Sequence, residues 1–209
     1  MIKHSHLRKI QAPNSGFILS KESRLKKKSS FQQLVQSRKS IRRFLDRPVE
    51  REKILTCLEA ARVAPSASNV QPWRFLVIDD PKLLEKLARE AFSGIYYPTK
   101  FAAKAPAIIV ILARLDIIAN RIGKQIQDIN FYYIDIGIAG EHIVLQAEEL
   151  GLGTCWIGWF NPRRTRKFLN IPRKYKIVSL MAMGYYEKKP SRERKRRKLN
   201  EIVWFNKIP

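Results

Sequence analysis

The chain is poor in the residues that build metal sites and side-chain catalytic machinery. It has two cysteines, Cys57 and Cys155, far apart in sequence, and three histidines in 209 residues. With no CxxC pair and no Cys/His cluster, a structural metal site is not expected. Two unpaired thiols fit a reducing, cytoplasmic setting. No Ser–His–Asp pattern and no acidic dyad stands out, so catalysis by a side-chain acid–base pair is not expected. Acids are scarce, with 18 Asp and Glu against 41 Lys and Arg. Long apolar runs are missing as well. The longest, residues 105–113, is about half of what a membrane-spanning helix needs, and the basic N-terminal stretch has no apolar core of a secretory signal. No repeat of 20–50 residues recurs, which excludes a solenoid.

What the chain has in excess is positive charge. Its net charge is +23, which favours phosphorylated or otherwise anionic partners and allows loose, salt-sensitive nucleic-acid binding through the basic tails. Residues 1–28 carry eight Lys or Arg and one acid, and residues 188–198 carry another eight against one. The first stretch is polar and aperiodic, so it reads as a basic N-terminal extension (1–28) ahead of one domain (29–209).

Within the domain, apolar residues alternate between helical and strand spacing. Helices are expected from Ser30, after Pro48, from Pro81, over residues 128–150 and after Asn161-Pro162. Apolar strands are expected at 74–78, 107–113 and 175–184, with a strand-to-loop passage at 154–160. Gly137, Ala139 and Gly140 predict a close helix–helix contact, and Gly151 and Gly153 predict the stop of the long helix. His142 on that helix reads first as a structural hydrogen-bonding residue. Leu199, Ile202, Val203, Trp204 and Phe205 form an apolar tail behind a charged run, and a second subunit is an economical cover for it. Strands alternating with helices give a mixed α/β, or α+β, class.

Two stretches draw attention. Pro65-Ser66-Ala67-Ser68-Asn69-Val70-Gln71-Pro72-Trp73 packs hydroxyls and amides between two prolines. It reads either as a polar turn or as a binding loop. Ser37-Arg38-Lys39-Ser40-Ile41-Arg42-Arg43-Phe44 offers four cations and two hydroxyls around apolar anchors. That suits a phosphate, or a solvated basic face.

Together these stretches resemble the nitroreductase family of flavin enzymes. The basic segment at 37–44 is similar to the family's R-x-S-x-R-x-F signature, and residues 65–73 to its P-S-x-x-N-x-Q-P-W loop. Gly151-Leu152-Gly153-Thr154-Cys155-Trp156-Ile157-Gly158 is similar to its glycine segment, and Arg196-Arg197-Lys198-Leu199 to its basic C-terminal motif.

The resemblance implies a central, mostly antiparallel sheet flanked by helices and a homodimer with FMN at the subunit interface. Arg38, Lys39, Ser40 and Arg42 would hold the FMN phosphate and ribityl chain, with Arg196 and Lys198 closing from the C-terminal side. Pro65, Ser66, Ser68, Asn69 and Gln71 would line the flavin, in part from the partner subunit. Ile157 and Gly158 would pass over the ring through their backbone. Many relatives have an acid where this chain has Ile157, so a carboxylate role is lost here. Tyr96, Tyr97, Phe131, Tyr132 and Trp159 are aromatic candidates for the ring or substrate, and each also reads as core. The implied chemistry is ping-pong, from NAD(P)H to the flavin and then to a small electron-poor acceptor such as a nitroaromatic or quinone. Dehalogenation or flavin breakdown on the same fold, or non-enzymatic nucleic-acid or anion binding, are the alternative readings.

Overall fold

A computed structural model describes residues 29–115, 129–191 and 194–208. The basic extension 1–28 and most of the 116–130 excursion lie outside the described residues. Among the described residues, five α-helices and four strands follow one another: α1 (Ser30–Ser37), α2 (Arg51–Arg62), β1 (Trp73–Ile78), α3 (Pro81–Ala91), β2 (Ala107–Arg114), α4 (Phe131–Glu149), β3 (Gly153–Ile157), α5 (Pro162–Phe168) and β4 (Tyr175–Gly184). The strands form one sheet in the order β1-β2-β4-β3, antiparallel throughout. Single 3-10 turns occur at Ala67–Asn69 and Leu199–Glu201, and a longer 3-10 stretch occupies Gly94–Lys104.

Local chemistry accounts for the helix starts. Ser29 and Gln32 form a reciprocal capping box at α1. Asp80 accepts from the Leu83 amide at 2.7 Å, with Pro81 in the first turn of α3. Asn161 does the same for α5 at 3.0 Å, with Pro162 behind it. α4 stops because Gly151 adopts a left-handed φ of 74°, which lets the Leu152 amide return to the Ala147 carbonyl at 2.8 Å. Gly153 has no part in that stop; it is the first residue of β3.

β2 is the spine. Residues 107–113 are buried on both faces. Ile109 and Ile111 face a core built with α2 and α4, while Ile108, Val110 and Leu112 face one built with α3 and the segment around Phe160. His142 Nδ1 lies 2.9 Å from the Ala60 carbonyl and ties α4 to α2. α4 packs against α2 as expected, with Ala139 buried in their shared core, and Gly140 serves a further purpose. A Cβ on Gly140 would come within 2.2 Å of the Trp156 ring, so this glycine makes room for an indole from β3. Gly153 makes room for Ile41 in the same way: a Cβ there would fall 2.4 Å from Ile41 Cγ1 and 2.8 Å from its Cβ.

Two outcomes follow from these contacts. Gly153→Ala drives a methyl into Ile41 and Tyr186, with an overpacking cost of roughly 1–3 kcal/mol. Urea unfolding is expected to show a lower midpoint at unchanged slope. The second concerns Glu50, whose carboxyl is held down at about 2, chiefly by the Tyr185 hydroxyl that donates to it at 2.6 Å, with Lys53 and Arg47 assisting. A depressed carboxylate adds stability above its unfolded pKa, about 4.3, and that stability fades as pH falls toward 2. The melting-temperature gap between the native chain and Glu50→Gln should close across that window.

Candidate anion-binding site

The basic segment leaves α1 at Arg38, whose ψ of 129° is extended. Ser40 then bridges Thr154 in parallel, on the free edge of β3, and the Ile41 amide donates to the Thr154 carbonyl at 2.9 Å. Ile41 is 2% exposed and seats against Gly153. Because side chains alternate along an extended segment, burying Ile41 leaves Ser40 and Arg42 on the opposite, open side, where both line cavities.

The C-terminal segment is strapped onto this edge. Lys189 pairs with Glu148 and donates to the Ser37 carbonyl at 3.1 Å. Lys39 Nζ donates to the Pro190 carbonyl at 2.5 Å, and Arg194 Nη2 to the Gln36 carbonyl at 2.8 Å. A cavity of about 340 Å³ results, lined by Lys39, Ser40, Arg42, Pro190, Arg194, Lys195 and Arg196. Five of those seven residues are cationic and none is acidic. Arg38 joins Arg194 and Arg196 in an adjoining cavity of about 450 Å³, which Glu141 also borders. A third, of about 760 Å³, opens between residues 40–45 and 187–191.

The charges act on one another. The Arg194 guanidinium is pushed below its ordinary range, first by burial and then by Arg38 and Arg196 beside it; Glu148 and Glu141 only partly oppose this. Like charges crowded at a cavity without a carboxylate in its lining form a site for an anion of high charge density. Burial raises the pKa of the nearby Cys155 thiol against the pull of Arg42 and Arg38, which disfavours its thiolate. Cys57, on α2, is pushed up to about 11 by burial.

The amide-rich loop lies elsewhere. It leads into β1, at the sheet edge opposite β3. Three strand spacings separate those edges, about 14 Å. None of the three cavities includes a residue of 65–73. The loop is internally bonded: the Gln71 amide donates to Ser66 Oγ at 2.9 Å, and Gln71 Nε2 to Asn69 Oδ1 at 3.0 Å. Ser68, Asn69 and Gln71 have φ of 49°, 53° and 48°. For Ser and Gln this left-handed backbone costs on the order of 1–3 kcal/mol each; Asn tolerates it better. The Ala67 amide donates to Asp135 Oδ1 on α4 at 2.9 Å.

Of the other sequence candidates, Ile157 is buried and its carbonyl accepts from the Ser179 hydroxyl at 2.9 Å, so its side chain is not available to a ligand. Gly158 is exposed, and a Cβ there would meet nothing within 4 Å. The chain itself does not demand glycine at that point, and the space beside its backbone is open. Lys198 is exposed and lines none of the three cavities. Arg194 and Lys195 do, and were not singled out in the sequence; the signal for them was only their place in a dense basic run. Among the aromatics, Tyr132 is core, while the Trp159 indole donates to the Ile95 carbonyl at 2.9 Å and lies 5.3 Å from Tyr96. Among the described residues no group of three or more His, Cys, Asp or Glu could hold a metal ion.

Comparison with known proteins gives a consistent result. A family model described as the Nitroreductase family matches residues 35–99 and 96–185. A protein of Archaeoglobus fulgidus, provisionally named NADH dehydrogenase/NAD(P)H nitroreductase, is 34% identical over 157 residues, covering 73% of this chain and 83% of the relative. A nitroreductase family protein of Clostridium difficile is similar in structure with a TM-score of 0.73 at 32% identity, covering 86% of this chain and 100% of that one. A structure titled FMN-dependent nitroreductase from the same species has a TM-score of 0.66 at 31% identity, covering 84% and 98%. More distant relatives include a Thermotoga neapolitana iodotyrosine deiodinase at 24% identity and a Rhodospirillum rubrum 5,6-dimethylbenzimidazole synthase at 23%. The matched family region takes in the basic segment, the amide loop and the glycine segment, and the chain belongs to the nitroreductase family.

Proposed function

We propose that this chain is an FMN-dependent NAD(P)H oxidoreductase that passes electrons to a small electron-poor acceptor, such as a nitroaromatic or quinone, and works as a homodimer. The observation that carries the reading is the convergence of cations from residues 39–42 and 194–196 on a cavity of about 340 Å³ with no carboxylate in its lining, with Arg38 in the adjoining one. A phosphate monoester fits that donor set. Arg38 and Arg42 offer planar forks, Lys39 a point charge and Ser40 a short hydroxyl donor. Arg194, Lys195 and Arg196 close from the other side, with Lys198 two residues further on.

Bound FMN would supply the redox chemistry, taking hydride from NAD(P)H and returning electrons to the acceptor. The protein's part is placement. The Gly158 backbone, with open space beside it, lets a flat ring approach. The Asn69 and Gln71 amides can donate and accept at a pyrimidine edge, and Pro65, Ser66 and Ser68 shape the wall that carries them. Their distance from the cation cluster within one chain means that the two halves meet when the loop comes from a second copy. The exposed apolar surface supports that assembly: Phe31 on α1 is 62% exposed, and Leu199, Trp204 and Phe205 on the C-terminal tail are 50–85% exposed. Such a surface is what an interface between subunits covers.

Arg38→Ala combined with Ser40→Ala removes two phosphate contacts. At roughly 1.5–3 kcal/mol per charge-assisted bond, FMN affinity is expected to fall about 100-fold or more by fluorescence titration; unchanged occupancy refutes the phosphate assignment. Anaerobic addition of NADH or NADPH to the FMN-loaded protein should bleach the flavin absorbance, and a panel of nitroaromatics and quinones should restore it. Failure of both nucleotides to bleach it refutes the oxidoreductase reading.

A further inference from the structure

Asp135 has no part in the anion cluster. It sits near the start of α4, 3% exposed, in a helix face otherwise given to the core. Burying a carboxylate is costly unless its oxygens are bonded. One is: Oδ1 accepts from the Ala67 amide at 2.9 Å. The other, Oδ2, has no hydrogen-bond partner among the described residues. Burial accordingly raises the pKa of the group, with the Ala67 amide opposing.

The residue that Asp135 holds heads the turn in which Ser68, Asn69 and Gln71 all adopt positive φ. Strain of this kind persists only where the surroundings over-determine it. The other bonds of the turn are local: Asn69 N–H to the Ser66 carbonyl at 3.0 Å, Val70 N–H to the Ala67 carbonyl at 3.1 Å, Gln71 N–H to Ser66 Oγ, and Arg74 to the Gln71 carbonyl. They fix the turn's shape but not its place. The Asp135–Ala67 bond joins it to a helix 68 residues away in sequence.

We propose that Asp135 is a positioning residue whose buried carboxylate anchors the 67–71 turn to α4 and so sets where the Asn69 and Gln71 amides point. This rests on the reading that those amides face the flavin. A carboxylate suits the task because an ionised acceptor bonds an amide more strongly than a neutral one, and because α4 is fixed in the core on both sides of it. Asparagine keeps an acceptor oxygen in the same place, so the anchor survives Asp135→Asn and is lost in Asp135→Leu.

The experiment has two arms. In flavin-free protein, amide exchange of residues 68–71 is compared among the native chain, Asp135→Asn, Asp135→Leu and Ala67→Pro. The last removes the donor from the surface side and leaves Asp135 in place; Ser66 is already extended, as a residue before proline must be. Exchange is expected to quicken about tenfold in Asp135→Leu and Ala67→Pro, and to stay close to native in Asp135→Asn. In FMN-loaded protein, the same two variants should shift the flavin midpoint potential and lower kcat/KM about tenfold with NADH, with Asp135→Asn restoring both. Unchanged exchange in Ala67→Pro overturns the anchor even if Asp135→Leu fails to fold. Faster exchange in Asp135→Asn as well overturns it too, since the acceptor would not then be what matters. Altered exchange with unaltered potential and kcat/KM overturns the link to the flavin. A native chain that takes up no FMN refutes the oxidoreductase reading instead, and the exchange arm still decides the anchor.

Discussion

Mutual repulsion among a few guanidinium and ammonium groups is the constraint around which this chain is arranged. Arg194 is pushed below its ordinary pKa first by burial and then by Arg38 and Arg196 beside it. Such a cluster persists only because the backbone holds it. On one side, the Ser40–Thr154 bridge and the buried Ile41 fasten the basic segment to the edge of β3, and Gly153 permits the contact. On the other, the Lys189–Glu148 pair and the carbonyls of Ser37 and Gln36 hold the C-terminal segment down. The resulting donor set suits an anion, which connects sequence charge to sheet-edge geometry and to the proposed cofactor.

Much of this was legible in the sequence, and the reasons differ by element. Helix starts were readable because Asp80-Pro81 and Asn161-Pro162 carry their own caps. β2 was readable because a strand buried on both faces shows as an unbroken apolar run. The pairing order β1-β2-β4-β3 was not readable from single strands, since it depends on which edges meet. The glycines were only partly readable, for a related reason. Gly140 and Gly153 are small because of side chains that arrive from elsewhere in the chain, Trp156 and Ile41, and no local pattern records such a partner.

The site divides in the same way. The basic segment and the amide loop stood out because short runs of unusual residues announce themselves. Within the run at 188–198 the cations look alike, and only the fold sets Arg194 and Lys195 at the cavity. Asp135 was invisible, one of four acids in its helix, whose proposed role rests on an amide 68 residues earlier. The separation of the loop from the cation cluster within one chain was also invisible, because it depends on the order in which the strands pair.

The central claim is that a phosphate, not the ring alone, anchors the ligand among these cations. Affinities for FMN and for riboflavin, which share the ring and ribityl chain and differ by the phosphate, test this most directly by fluorescence titration under one salt condition. Several charge-assisted bonds at roughly 1.5–3 kcal/mol each predict FMN binding at least about 100-fold tighter than riboflavin, with the gap shrinking as salt is raised. Equal affinities for the two would contradict the account.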